Sequence, residues 1–185
     1  MQNVTYFRPS ASGCFSVSDT GVLVYQTGFP ISELNSYDRS GRVIGTVGRS
    51  LPYVGTLRIS PDGRRVAAWI WSPGKGGMDI WIFEANGRES RRLTYPPATH
   101  ARPVWSPDGK RVVFASTRSG PPSLASADVA ESKQQQPLMA FSQVPPVEQI
   151  QMPTDWSKDG RFGSSIPALG RKNRKFGWRT RHEAK

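Results

Sequence analysis

Apolar and polar residues along this chain fall into short runs broken by turns, and one order of runs occurs four times. An apolar segment, a Ser-containing turn closed by Gly and a second apolar segment begin at Phe15-Ser16-Val17-Ser18-Asp19-Thr20-Gly21 and again at Leu57-Arg58-Ile59-Ser60-Pro61-Asp62-Gly63. They return at Pro103-Val104-Trp105-Ser106-Pro107-Asp108-Gly109 and Thr154-Asp155-Trp156-Ser157-Lys158-Asp159-Gly160. The turn serines are 42, 46 and 51 residues apart, a period that belongs to an array of four-stranded units. The segments after the turns, Val22-Leu23-Val24-Tyr25, Val66-Ala67-Ala68-Trp69-Ile70-Trp71 and Val112-Val113-Phe114-Ala115, are apolar almost throughout. A strand covered on one face alternates with polar residues; these do not, so they predict strands covered on both faces by stacked sheets. A lone unit would leave about 1.5–3 kcal/mol of burial unrealised for each large side chain.

Each unit divides into strands. The second reads Thr56 to Ser60, Arg65 to Trp71, Met78 to Glu84 and Ser90 to Tyr95, with Ser60-Pro61-Asp62-Gly63 as a type I turn and Asn86-Gly87 as a hairpin signal. The third reads Arg102 to Ser106, Arg111 to Thr117, Ser123 to Asp128 and a weaker Gln136 to Phe141. The first reads Cys14 to Ser18, Gly21 to Thr27, Glu33 to Asp38 and Arg42 to Val47. The fold class is therefore all-β: a partial β-propeller of three four-stranded antiparallel blades plus the start of a fourth. The repeats occupy 1–162, with blades at 13–48, 56–95 and 102–141 and a fourth opening at 153–162. Residues 163–185 read as a basic tail, disordered or non-native, because the pattern stops after Phe162.

Charge supports that division. The net charge is +11 over 185 residues, but residues 1–160 carry only +4 and residues 161–185 carry +7. A nucleic-acid reading thus rests on the tail alone, where Phe176 and Trp178 are interleaved with basic residues from Arg171 to Lys185. The single cysteine, Cys14, has no partner for an internal disulfide and reads as a small apolar residue of the first strand. The chain has neither an apolar run long enough to span a membrane nor a signal-peptide pattern at its start.

The runs Arg58-Ile59-Ser60-Pro61-Asp62-Gly63-Arg64-Arg65-Val66-Ala67, Asp79-Ile80-Trp81, Arg92-Leu93-Thr94 and Val104-Trp105-Ser106-Pro107-Asp108-Gly109-Lys110-Arg111 closely resemble the WD40-like, or TolB-type, propeller repeat. The resemblance covers about residues 13–162. The segment from Tyr37 to Gly48 is similar to propellers at the C-terminal end of large bacterial proteins, including sensor serine/threonine kinases. No kinase Gly-rich loop, His-Arg-Asp or Asp-Phe-Gly accompanies it, so phosphoryl transfer is not expected.

Candidate chemistry is sparse. Asp62, Asp108 and Asp159 recur at one turn position, where Asp bonds its own backbone, and read as turn residues rather than metal ligands or catalytic acids. Two histidines, His100 and His182, are too few for a transition-metal site, and no calcium loop is present. There is no Gly-x-Ser-x-Gly elbow, and Gly74-Lys75-Gly76-Gly77 lacks phosphate-loop spacing. Trp69, Trp71, Trp81, Trp105 and Trp156 could form an aromatic cage, but Trp105 and Trp156 hold equivalent first-strand positions and read as packing between blades. Trp69 and Trp71 share one side of a strand beside the loop Ser72 to Gly77 and are the better candidates for a surface contact. Catalytic, cofactor and metal residues are therefore expected to be none, and the binding residues stay open.

These features point to a non-enzymatic module that binds a protein or peptide over the propeller face, read as a fragment of a larger bacterial sensor or surface protein. The alternative is a regulatory accessory domain of a kinase or peptidase; nucleic-acid binding depends on the tail. The resemblance implies a periplasmic or extracytoplasmic location if the parent is exported.

Overall fold

The computed structural model describes residues 6–7, 12–13, 15–19, 21–27, 31–72, 77–87, 89–95, 97–131, 135–137, 151–167 and 176–179. All regular elements among them are strands. A short hairpin of β1 (Tyr6–Phe7) and β2 (Ser12–Gly13) precedes four antiparallel sheets. The first holds β3 (Phe15–Val17), β4 (Leu23–Thr27), β5 (Ser32–Tyr37) and β6 (Val43–Leu51) in that order. The second holds β7 (Tyr53–Ile59), β8 (Arg65–Ser72), β9 (Gly77–Glu84) and β10 (Ser90–Arg92). The third holds β11 (His100–Trp105), β12 (Arg111–Ser116), β13 (Ser123–Asp128) and β14 (Gln135–Pro137). The fourth holds β15 (Gln151–Trp156), β16 (Phe162–Pro167) and β17 (Phe176–Arg179).

The sheets stack through their first strands: β7 touches β3 on one side and β11 on the other, and β11 touches β15. This is a propeller arrangement, and the second strands show why. In β8, Val66, Ala68 and Ile70 enter a core shared with Val24, Leu34 and Val47 of the first blade. Ala67 enters a different core with Trp105, Val112 and Phe114 of the third, and Trp69 packs against it. In β12, Val112 and Phe114 face the second blade while Val113, with Leu124, meets Trp156 of the fourth. Continuous apolarity is thus alternation with both faces buried.

The residue before each turn serine packs on the preceding blade. Ile59, Trp105 and Trp156 do so in turn. Val17 holds the same position in the first unit and is 59% exposed. Polar ties reinforce the seams: Ile59 N–H donates to Ser16 Oγ at 3.0 Å and Trp105 Nε1–H to the Arg58 carbonyl at 2.9 Å. The Arg65 guanidinium lies 5.1 Å from the Trp105 ring centroid and donates to the Gly109 carbonyl at 3.0 Å. Between the fourth and first turns, Lys158 Nζ pairs with Asp19 at 2.8 Å on the exposed surface.

Two expectations change. The boundary drawn after residue 162 falls on the first residue of β16, which pairs with β15 from Gln151↔Pro167 to Trp156↔Gly163, and β17 in turn pairs with β16. Gly163, Ser164 and Ser165 carry no apolar period, but ladder bonds need only backbone groups. The fourth strand of the third unit lies at Gln135–Pro137, earlier than the run to Phe141, whose residues beyond 137 lie outside the described set.

The turns repeat in detail. In the third, Ser106 N–H bonds the Arg111 carbonyl at 2.9 Å, and Gly109 N–H bonds the Ser106 carbonyl at 2.9 Å with φ +66°. We expect Trp105→Ala to cost about 3–5 kcal/mol as a buried truncation at a seam. Gly109→Val should cost about 1–3 kcal/mol from left-handed backbone strain. Val17→Ala, at the exposed equivalent position, should change little. Urea unfolding of the three variants checks this, and a Val17→Ala loss matching that of Trp105→Ala would contradict the seam assignment.

Candidate functional site

The seam between the second and third blades carries the most developed polar site. On β9, Asp79 is buried and points toward β10 and the residues after it. One carboxylate oxygen accepts the Thr94 hydroxyl at 3.1 Å; the other pairs with the Arg92 guanidinium. The Thr94 oxygen also accepts Ile80 N–H at 2.9 Å, so one hydroxyl ties the backbone of β9 to a buried charge. Removing one member of such a buried pair leaves the other uncompensated.

Next along the chain, the Tyr95 carbonyl accepts His100 Nε2–H at 3.3 Å and Arg118 Nη2–H at 2.8 Å. His100 is fully buried, with its ring edge-on to Phe114 at 5.4 Å. Thr99 and Thr117 close the loop reciprocally: Thr99 N–H donates to Thr117 Oγ1 at 2.9 Å, and Thr117 N–H to the Thr99 carbonyl at 3.1 Å. The connection from β10 to β11 is therefore held by the third blade on its inner side.

Two aromatic side chains of the second unit face solvent. Trp71 is 47% exposed and Tyr95 40% exposed, the latter with the Arg92 guanidinium 5.4 Å from its ring centroid. Trp69, paired with Trp71 as a surface candidate, has a different place: it is half-buried against the core between the second and third blades. A Cβ on Gly55 would lie 3.0 Å from its ring. Two residues along a strand point the same way, but only the outer one clears the core. Trp81 is half-buried against the first seam, and Trp156 Nε1–H donates to the Gly160 carbonyl at 3.2 Å.

Sequence reasoning missed Tyr95, Arg118 and the Asp79–Arg92–Thr94 lock as a group. The Asp-Ile-Trp and Arg-Leu-Thr runs were the available signal, but their pairing is a consequence of β9–β10 register, with Arg92 opposite Trp81.

A second charged group lines the inner strands. Burial lowers the Arg58 pKa, with Asp155 opposing and Arg102 adding to the shift, so Arg58 on β7 lies within electrostatic reach of Asp155 on β15 and Arg102 on β11. Arg102 lies at a register shift in β11 and has a left-handed φ of 56°, a conformation that costs a non-glycine residue strain.

The repeated carboxylates are occupied by their turns. Asp62, Asp108 and Asp159 each accept the hydroxyl of their turn serine and the backbone N–H of Arg64, Lys110 and Arg161 respectively. For Asp62 and Asp108 burial raises the pKa, and these hydrogen bonds outweigh it, so both are lowered. Asp159 is lowered further by Ser157 and Arg161. Among the described residues no group of three or more His, Cys, Asp or Glu side chains is placed to hold a metal ion. Cys14, the loop residues Gly74, Lys75 and Gly76, and His182 lie outside the described residues. Phe176 and Trp178 of the basic run fall in β17.

A family model described as the TolB beta propeller domain, PD40, matches residues 39–171. The chain belongs to this TolB-type propeller family. The Tol-Pal system protein TolB of Anaeromyxobacter dehalogenans is 39% identical over 85 residues, 45% of this chain and 18% of that protein. The TolB of Nitratidesulfovibrio vulgaris is 40% identical over 48 residues, 26% of this chain and 11% of the relative. The matched segments thus span less than a fifth of these relatives. Among solved structures, TolB from Acinetobacter baumannii superposes with a TM-score of 0.62 at 18% identity, over 85% of this chain and 38% of that one. A gluconolactonase from Xanthomonas campestris gives 0.57 at 14% identity, over 84% of this chain and 56% of that one. At these identities both structures show the propeller fold alone.

His100 gives the site a pH dependence. Burial lowers its pKa below 6.5, the Tyr95 bond and Asp79 only partly opposing this, while Arg118 and Arg92 lower it further. The folded state therefore favours the neutral ring: its stabilisation is present above the unfolded value and is lost as pH falls through the folded value. Unfolding followed from about pH 7.5 to about 5 should show a steeper loss for the native chain than for His100→Gln. Parallel curves would show that the ring is not the titrating group.

Proposed function

We propose that this TolB-type propeller is a non-catalytic module that binds an extracytoplasmic protein or peptide partner at the seam of its second and third blades. The observation that carries the reading is two exposed aromatics of the second unit, Trp71 at the end of β8 and Tyr95, whose carbonyl is held by His100 and Arg118 beside the Asp79–Arg92–Thr94 lock. Exposed aromatics on a rigid support give large contact area at little ordering cost, and Trp, Tyr and Arg dominate binding energy at protein interfaces. The aspartates recurring at repeat spacing are engaged by their own turns, which leaves them structural work rather than acid–base work. An extracytoplasmic setting is supported by the TolB relatives, whose names place them in the Tol-Pal system.

The test is selection of a random peptide library on the immobilised chain, followed by affinity measurement of the enriched peptides. Trp71→Ala should weaken binding about tenfold or more, as for truncation of an interface anchor. Because Trp71 is largely outside the core, the melting temperature should stay close to native. Enriched peptides that bind Trp71→Ala and Tyr95→Ala as tightly as the native chain would place the binding surface elsewhere. Turnover of peptidase, lactonase or phosphotransfer substrates that survives repurification and is lost on one polar substitution would overturn the non-catalytic reading.

A further inference from the structure

The outermost strands of the three complete blades are unequal. β10 and β14 are three residues each, whereas β6 runs for nine, with register shifts against β5 on either side of Gly45–Val47 and a left-handed φ of 68° at Gly48. Long outer strands are normally blunted, because their outward N–H and C=O groups template another strand. Gly48 N–H reaches the Gly87 carbonyl at 2.9 Å, so β6 turns this group away from β5 and toward the second blade. Ladder alternation turns the Thr46 N–H and C=O the same way, on the side where β6, the last strand of its sheet, pairs with no other strand among the described residues.

The surroundings of this edge are apolar and basic. Val43 and Ile44 are 54% and 50% exposed. Ile44 also forms one lip of a groove of about 280 Å3 at the seam of the first and second blades, with Val22, Ser36, Arg64, Glu84 and Ala85 among its walls. Arg39, Arg42, Arg49 and Arg64 are exposed around strand and groove. Of the nearby acids, Asp38 pairs with Arg42 and Glu33 accepts the Ser50 hydroxyl, while Glu84 stands on the groove wall beside Arg64.

We propose that β6 is a docking strand for an extended acidic segment of a partner protein, which adds to the first blade as a fifth strand. Backbone bonds to the Thr46 region would supply register. One apolar side chain of the added strand enters the groove beside Ile44, and acidic residues meet Arg39, Arg49 and Arg64. This surface is separate from the Trp71–Tyr95 seam and does not depend on it.

Fluorescence anisotropy of the full chain with two labelled peptides tests the proposal, one alternating valine with glutamate and one alternating valine with lysine. The glutamate peptide should bind saturably and the lysine peptide at least about tenfold more weakly. Thr46→Pro removes the outward N–H at an edge position where Pro is tolerated, and Ile44→Asp places a carboxylate at the groove lip. Each should lower affinity for the glutamate peptide about tenfold or more, while Trp71→Ala should not. Should Thr46→Pro fail to melt cooperatively, the exposed Ile44→Asp variant decides the matter. Equal binding of the two peptides, or native affinity in Ile44→Asp, would overturn the proposal. Self-association of the native chain that Thr46→Pro abolishes, without peptide binding, would overturn it in favour of strand pairing between two copies.

Discussion

The structure depends on burial of its second strands from both sides. Apart from Trp71 at the end of β8, these strands are covered on both sides: Val66 and Ala68 need the first blade, Ala67 and Phe114 need the seam between the second and third, and Val113 needs the fourth. A single four-stranded sheet therefore gains stability only as its neighbours assemble, so stability is distributed between intrinsic blade terms and interface terms. Trp105 joins both kinds. Its ring fills the apolar seam, its Nε1–H reaches the Arg58 carbonyl of the preceding blade, and Arg65 lies over it.

Apolar stacking alone would allow blades to slide, and directional contacts remove that freedom. Each complete turn places a serine hydroxyl and an aspartate carboxylate against backbone N–H groups, so the link between first and second strands has one geometry. Across the seams, the bonds of Ile59 to Ser16, Trp105 to Arg58 and Arg65 to Gly109 would be lost if a blade shifted, and polar groups left buried and unpaired are costly. The Asp79–Arg92–Thr94 lock extends the same logic to the outer half of the second blade. Its members join β9 to the chain just beyond β10, and that connection leads into the third blade.

Function on such a frame comes from what the loops and edges leave uncovered, which explains why similar propellers serve unrelated tasks. A TolB and a gluconolactonase both superpose on this chain, at 18% and 14% identity. The shared part is the stacking; the chemistry resides in side chains that the stacking leaves free. Here the stacking leaves Trp71 and Tyr95 exposed in the second unit and Val43 and Ile44 exposed on β6.

The repeat period, the both-sided apolar strands and the Ser-x-Asp-Gly turns were legible in the sequence because they obey local rules: strand period, turn chemistry and the burial demand of consecutive apolar residues. The aspartates were read as turn residues for the same reason, since their partners lie within a few positions. Tertiary structure decided what depends on neighbours distant in the chain. Trp69 and Trp71 are equivalent by alternation, yet Gly55 of β7 makes room for the first while the second stands beyond the core. Nothing local marks Tyr95 and Arg118 as partners across a seam, or shows that Gly163 to Ser165 join a ladder, because small and polar residues pair through backbone groups that every residue carries. Sequence alone determined the kind of unit and its repetition; the packing of units on one another determined which side chains remained for recognition, since exposure is a property of neighbours and not of the residue.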